Sequence, residues 1–501
     1  MNLAFLSEGI RGITGLSFLT LAGCTALNEV ILPSLAPEPF NEIQIEGELT
    51  PAEQNVNWQD SIDTGLALSG GGMRSAYYSI GAMKALYDAG LLGQEIDVIS
   101  AVSGGSYAAY WTYANQRAAD VENNYPVDSV FGSASFDNEH FSNNVCRRLA
   151  DANFVTTGAM VRSVITGQSR ELYTQRLRSV FGARDHWQLQ MHELLPWVER
   201  RDWPYPIINT TINRPEPTGW EDGLFEFTAA GTRGLLRGEQ VWPTEQSITF
   251  LKAIATSGAA LAPFLAREIE EISDRPDGRV AVMHDGGPSE NLGAIALIRR
   301  GLPRVIVIDA EHDPDYSFGA YVNLKDRLSR WGATLVIPGI ESHLSENDGD
   351  SPEESSFHGD VIWRDRGGAP QITRISYVKM SLPSRELETM RREITDNSAR
   401  QEYVTYFESL STIDRSDGTV ACDSLEAPTL PNELGRFFSY AVAIYEQDWN
   451  DSLRARMLRS GFLGLNFPQY STGDQSMYRD QALAFIALGY LQTMKFLEGA
   501  S

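Results

Sequence analysis

Short apolar runs separated by glycine- and proline-marked turns recur along this chain, and they predict its architecture. Residues 65–69, 96–102 and 304–309 are too short for helices and hardly alternate with polar residues. Such runs are strands buried on both faces, as in a parallel sheet covered by helices. Residues 205–213, 224–228, 280–283, 333–337 and 375–380 read as further strands. Between the first two strands the apolar period changes: Tyr77, Ile80, Met83 and Leu86 recur at helical spacing, and Gly90 ends the run. Helical spacing also covers much of 141–201 and 249–255, and apolar helical faces return at 440–445 and 482–488. Strand, helix and strand in this order predict an α/β domain of three layers, with a mostly parallel sheet between helices.

Two junctions in that pattern carry chemistry. The first strand runs into Gly70, Gly71 and Gly72, followed by Met73 and Arg74. Consecutive glycines add no apolar surface and cost conformational entropy, so the run implies that another group approaches the backbone N–H groups closely. The second strand leads to Ser103, with Ala101 and Gly105 two positions to either side and a helix opening at Ser106. A serine on a tight strand-to-helix turn between small residues has the form of a nucleophile elbow, here with alanine in place of the first glycine. Its hydroxyl then stands at the carboxyl edge of the sheet and the positive end of a helix, where developing negative charge is favoured. Far along the chain, the strand at 280–283 leads through His284 to Asp285, and Gly286 and Gly287 turn the chain. Asp-Gly-Gly alone is ordinary turn chemistry. After a buried-looking strand, in a chain with both other junctions, Asp285 becomes the candidate base for Ser103.

The glycine loop with Arg74, the elbow at Ser103 and the turn at Asp285, in that order, resemble the patatin-like phospholipase family. Within it, the chain is more similar to the cytosolic, group-IV-like phospholipases than to plant patatin. Further matching pieces at 255–263, 285–292, 377–382 and 466–469 extend the resemblance over most of 61–495. The resemblance implies a three-layer α/β/α patatin-like fold with helical insertions that hydrolyses acyl esters of lipids, glycerophospholipids first. It also implies that Arg74 stabilises a substrate phosphate or the oxyanion. In the mechanism expected here, Ser103 attacks an ester carbonyl, Asp285 takes its proton, and the N–H groups of Gly70, Gly71 and Gly72 form the oxyanion hole. Aspartate is a poor base in water, so the mechanism requires a dry site and a direct Ser103–Asp285 hydrogen bond. No metal site is evident, and no cofactor is called for.

The chain has 501 residues, 42% of them apolar, enough for a sizeable core. A net charge of −25 argues against nucleic acid as a partner and against general attraction to anionic lipid. Membrane contact must then be local, apolar or covalent. The amino terminus offers a covalent route: Arg11 precedes an apolar run that ends at Leu21, Ala22, Gly23 and Cys24. This resembles a bacterial lipoprotein leader with cleavage before Cys24 and acylation on it, the alternative being a cytosolic helix that ends in cysteine. The leader implies a lipid anchor in a bacterial cell envelope, at the outer membrane by virtue of Thr25, facing the periplasm or the cell surface. Cys146 and Cys422 are then either a disulfide or two separate buried thiols. The expected organisation is a leader over 1–23, a tether over 24–60 rich in Pro, Glu, Asn and Gln, the alternative near Trp58 being an ordered arm packed on the domain, and a catalytic domain over 61–501. A helical insertion around 141–201 is where a lid or lipid-facing surface would sit, although ordinary helical packing accounts for it as well. Residues 341–360 are acidic but have no Asp-x-Asp-x-Asp-Gly calcium loop, and they read as a solvated loop.

Three other readings compete. A Ser–His–Asp triad has His312 as its one plausible third member, because His284 should face the side of the sheet opposite Asp285. A dinucleotide site would use Gly70, Gly72 and Ser75 after a strand with Asp97 further on, but it lacks the third glycine and leaves Ser103 and Asp285 unexplained. The last is a lipid-binding or scaffold protein on the same fold, without turnover.

Overall fold

The short apolar runs become strands of a single sheet. The computed structural model describes residues 49–58, 62–122, 131, 169–182, 188–213, 220–236, 240–243, 248–259, 267–269, 281–346, 351–365, 367–388, 467–470, 472 and 479–500. The expected leader and Cys24, residues 141–168 of the insertion, Cys146, Cys422 and the helical face at 440–445 lie outside them.

In chain order the strands are β1 (Thr64–Leu68), β2 (Val98–Val102), β3 (Tyr205–Asn213), β4 (Trp220–Thr228), β5 (Gly231–Leu236) and β6 (Gln240–Pro243). There follow β7 (Arg267–Ile269), β8 (Ala281–His284), β9 (Arg304–Asp309), β10 (Thr334–Val336), β11 (Ser356–Arg364) and β12 (Pro370–Lys379). The centre of the sheet, in the order β12-β9-β1-β2-β3, is parallel: Leu66 pairs with Ile306 on one side and Ile99 on the other. Both wings are antiparallel, β10 and β11 beyond β12 and β4 to β6 beyond β3. The division follows residue type. β1 and β2 are buried throughout, whereas β11 alternates, with Val361 and Trp363 buried and Ile362 exposed.

Helices fill the outer layers: α1 (Gly72–Asp88), α2 (Gly104–Glu122), α3 (Ser169–Phe181), α4 (Phe250–Ser257), α5 (Gly319–Arg330) and α6 (Arg479–Ala500). The result is the expected α/β fold. α1 is buried from Gly72 to Leu86, because α6 covers the face that the sheet and α2 leave open. Gly81 lies against the carbonyl of Ile486 and Gly489 against that of Tyr78, so the α1 and α6 backbones approach with no room for a side chain at either point. The Tyr78 hydroxyl donates to Gln492 Oε1 at 2.6 Å within this contact. No described helix is long and apolar enough to cross a membrane.

β3 positions the site. Its first half pairs with β2 as far as Val102 opposite Asn209, and its last residues pair with β8, Thr211 opposite His284. The residue after β8 is therefore carried to the end of β2.

Two expected boundaries are corrected. The tether over 24–60 does not extend to 60, since residues 49–58 are docked on the domain. Thr50 and Glu53 form a capping box on a short helix, Pro51–Gln54, and the Glu53 carboxylate meets Arg300 at 2.6 Å in a buried pair. Arg300 also holds Glu226 at 2.8 Å, and Trp58 stacks edge-on against Tyr205 at 5.4 Å. Removing one partner of such a pair would leave a buried charge uncompensated, at a cost of roughly 3–5 kcal/mol. Likewise, the solvated loop expected over 341–360 contains the end of a helix, Pro338–Glu346, and the start of β11.

Candidate active site

The parallel centre places the ends of β1 and β2 side by side, and both junctions from the sequence meet there. At the end of β2, Ser103 has φ +47°, the left-handed region that costs a non-glycine residue about 1–2 kcal/mol. The strain turns the chain directly into α2. A Cβ on Gly104 would strike the Gly72 carbonyl, so the elbow and the glycine loop touch through backbone alone.

Ser103 Oγ donates to Asp285 Oδ2 at 2.8 Å, with Ser103 6% and Asp285 7% exposed. The Gly287 N–H donates to the other carboxylate oxygen at 2.7 Å and fixes its orientation. Burial pushes the Asp285 carboxyl up to about 6, against the downward pull of the Gly287 and Ser103 hydrogen bonds. It is therefore ionised at neutral pH yet far more basic than an aspartate in water.

Three residues to which the sequence analysis assigned no role complete the surroundings. Ser257, the last residue of α4, accepts the Ser103 N–H on its hydroxyl oxygen at 2.8 Å. The Tyr107 hydroxyl, one turn into α2, faces Ser103 and joins the Tyr173 hydroxyl, and Tyr173 donates to the Gly258 carbonyl at 2.6 Å. Tyr173 lies on α3, so the described part of the helical insertion reaches the nucleophile's neighbourhood. Ser257 sits in an alanine-rich stretch that reads as packing, and a strand-helix-turn signature gives no hint of it.

The glycine loop differs from expectation at one position. The Gly70 N–H donates to the Asn291 carbonyl at 2.8 Å, so it is engaged and unavailable to an oxyanion. The N–H groups of Gly71 and Gly72, at the positive end of α1, meet no acceptor among the described residues. Gly71 has φ +145°, and a Cβ there would strike the Ala310 carbonyl, so only glycine suits the position.

Arg74 also departs from expectation. It is 1% exposed, and its Nε and Nη2 donate to the Ala310 carbonyl at 3.3 and 3.1 Å while Nη1 donates to the Tyr470 carbonyl. Burial draws the guanidinium down to about 10, with Asp309, Glu311 and Asp313 pulling the other way. In these contacts the guanidinium fastens the glycine loop to the end of β9 and to the segment around Tyr470. Beside it, fully buried Lys379 meets Asp309 at 2.9 Å, Glu311 at 3.0 Å and Asp313 at 2.8 Å. Burial raises the Glu311 carboxyl to about 7, although Lys379 lowers it.

No described histidine hydrogen-bonds Ser103 or Asp285. His312 lies near Arg74, and burial depresses it to about 4; burial also lowers His284. Asp97 is at the amino edge of the sheet, where it accepts the N–H groups of Asp63 at 2.7 Å and Thr64 at 3.0 Å. That is the edge opposite the glycine loop, which removes it from a dinucleotide site at the strands' carboxyl ends.

A family model described as patatin-like phospholipase matches residues 66–217, which hold the glycine loop and the elbow but stop before Asp285. No curated protein matches the chain by sequence. Human GIVD cytosolic phospholipase A2 is similar in structure at 12% identity and a TM-score of 0.50, the match covering 92% of this chain and 65% of that one. The same human protein in complex with methyl gamma-linolenyl fluorophosphonate and terbium chloride gives 14% identity and a TM-score of 0.49, over 92% of this chain and 65% of that one. At these identities the likeness is one of fold.

Proposed function

We propose that the chain is a serine acyl hydrolase of lipids that cleaves the ester bonds of glycerophospholipids through a Ser103–Asp285 dyad. The observation that carries this reading is the buried 2.8 Å hydrogen bond from Ser103 to Asp285, beside the unengaged N–H groups of Gly71 and Gly72. The match of 66–217 to patatin-like phospholipases supports lipid as the substrate class.

Asp285 takes the Ser103 proton as Oγ bonds to the ester carbonyl carbon, and the carbonyl π pair moves onto oxygen. The Gly71 and Gly72 N–H groups receive that oxyanion, each such donor being worth roughly 3–4 kcal/mol of barrier. Collapse breaks the bond to the alcohol, which leaves with the proton from Asp285, and the acyl group remains on Ser103. Water then attacks the acyl carbon as Asp285 takes its proton. Fatty acid leaves, and the proton returns to Ser103. Arg74 acts indirectly in this scheme, by holding the loop that carries both donors. Acylation of Cys24 in a bacterial envelope would keep the site at its substrate's surface and removes the need for basic surface charge.

The test compares full-length wild type, Ser103→Ala and Asp285→Asn on mixed phospholipid–detergent micelles, with free fatty acid read by mass spectrometry. Release by wild type alone is expected. Release that persists in Asp285→Asn would overturn the dyad, and no release by wild type together with no fluorophosphonate adduct on Ser103 would overturn the hydrolase.

A further inference from the structure

We infer that Ser257 is a positioning residue for the dyad: through its hydroxyl and its carbonyl it sets the separation of Ser103 and Asp285. The inference rests on the hydrolase reading above and adds a residue that acts through both of its members.

The left-handed backbone at Ser103 turns its N–H away from the β2 ladder and from the helix that follows. A buried donor without an acceptor is costly, so something outside both elements must accept it. Ser257 Oγ does so at 2.8 Å. The single hydroxyl hydrogen of Ser257 goes to the Asn209 carbonyl at 2.6 Å, which fixes its rotation and leaves a lone pair aimed at the elbow. The Ser257 carbonyl accepts the N–H of Gly286 at 3.1 Å, the residue next to Asp285. One residue thus holds the nucleophile's backbone with its side chain and the base's backbone with its main chain.

What holds Ser257 is equally rigid. Asn209 is register-paired with Val102, and its side-chain amide donates to Ser100 Oγ at 2.8 Å and the Ala101 carbonyl at 3.1 Å. On the other side, the Gly258 carbonyl accepts the Tyr173 hydroxyl, and the Tyr107 ring closes off the space where a Gly258 side chain would stand. Loss of the Ser257 hydroxyl leaves the Ser103 N–H without an acceptor in a dry site. The strained elbow then relaxes, and the Ser103–Asp285 hydrogen bond lengthens.

Thr256 provides the comparison. It is fully buried in the same turn of α4, but its hydroxyl donates to the Lys252 carbonyl at 2.8 Å within the helix and takes no part in the dyad contacts.

The experiment uses full-length wild type, Ser257→Ala and Thr256→Val, following fluorophosphonate inactivation and phospholipid hydrolysis in mixed micelles across pH 4–8. Ser257→Ala is expected to lower both the inactivation rate and kcat on the order of 10²-fold at unchanged KM, the scale of a small misplacement of reacting groups. Its acidic limb should also move to higher pH, because a longer Ser103 bond pulls the Asp285 carboxyl down less. Thr256→Val should keep the wild-type rate and limb. If Ser257→Ala does not fold, Ser257→Cys keeps the volume with a much weaker acceptor and should be slowed in the same sense. Equal losses in the Ser257 and Thr256 variants, or a folded Ser257 variant that reacts as fast as wild type, would overturn this inference alone. A wild type that neither releases fatty acid nor reacts with the probe would overturn the hydrolase reading and this inference with it.

Discussion

Acidification is the most direct probe of the dyad, because burial moves Asp285 well above an ordinary aspartate and above His312. The carboxyl is raised from 3.8 to about 6, chiefly by desolvation. Only the ionised form accepts the Ser103 proton, so the rate should follow the ionised fraction. With a midpoint near 6, about a tenth of the plateau rate should remain at pH 5 and about a hundredth at pH 4. An aspartate at its ordinary value would still retain over nine-tenths at pH 5, roughly a tenfold difference between a dry site and a wet one. The assay is the second-order rate of fluorophosphonate inactivation against pH, which reports the free protein and involves no substrate ionisation. Glu311 also titrates near neutrality and lies behind the glycine loop, so a Glu311→Gln variant should keep the limb near pH 6. A limb at pH 4 would fit an exposed aspartate or His312, which burial lowers to about 4, and would refute the reasoning.

Two substitutions test the support of the site. Gly71→Ala places a Cβ against the Ala310 carbonyl at a φ of +145°, so the loop must shift one oxyanion donor; inactivation by fluorophosphonate should slow on the order of 10²-fold, and a wild-type rate would remove Gly71 from the hole. Lys379→Met removes the ammonium that the buried carboxylates of Asp309, Glu311 and Asp313 share. The urea midpoint should fall by the equivalent of about 3–5 kcal/mol, and an unchanged midpoint would show that the cluster contributes no net stability.

The parts of the site that sequence reasoning reached are those with local grammar. β1 with Gly71 and Gly72, β2 with Ser103, and β8 with Asp285 are each a strand followed by a turn that ordinary residues do not make, and each is readable within a few positions. What escaped depends on partners remote in the chain. The engagement of the Gly70 N–H is decided by Asn291, the direction of Arg74 by Ala310 and Tyr470, and the role of Ser257 by an elbow 154 residues away. In the wings, β4 and β10 are legible as strands, and β11 escaped for another reason. β11 alternates buried Phe357, Val361 and Trp363 with exposed His358, Asp360 and Ile362, and it follows Glu353 and Glu354, so the segment imitates a solvated loop although its period is that of a half-exposed strand.

The closure of α1 by α6, with Arg74 held by Tyr470, has a consequence in time. The Arg74–Tyr470 contact spans 396 residues, which a ribosome adds in roughly 20–80 s. Throughout that interval the glycine loop and elbow have emerged, but the face of α1 that α6 covers has no cover and Arg74 lacks one of its anchors. The growing polypeptide therefore carries its glycine loop and elbow through most of its synthesis before the segment that completes their support exists.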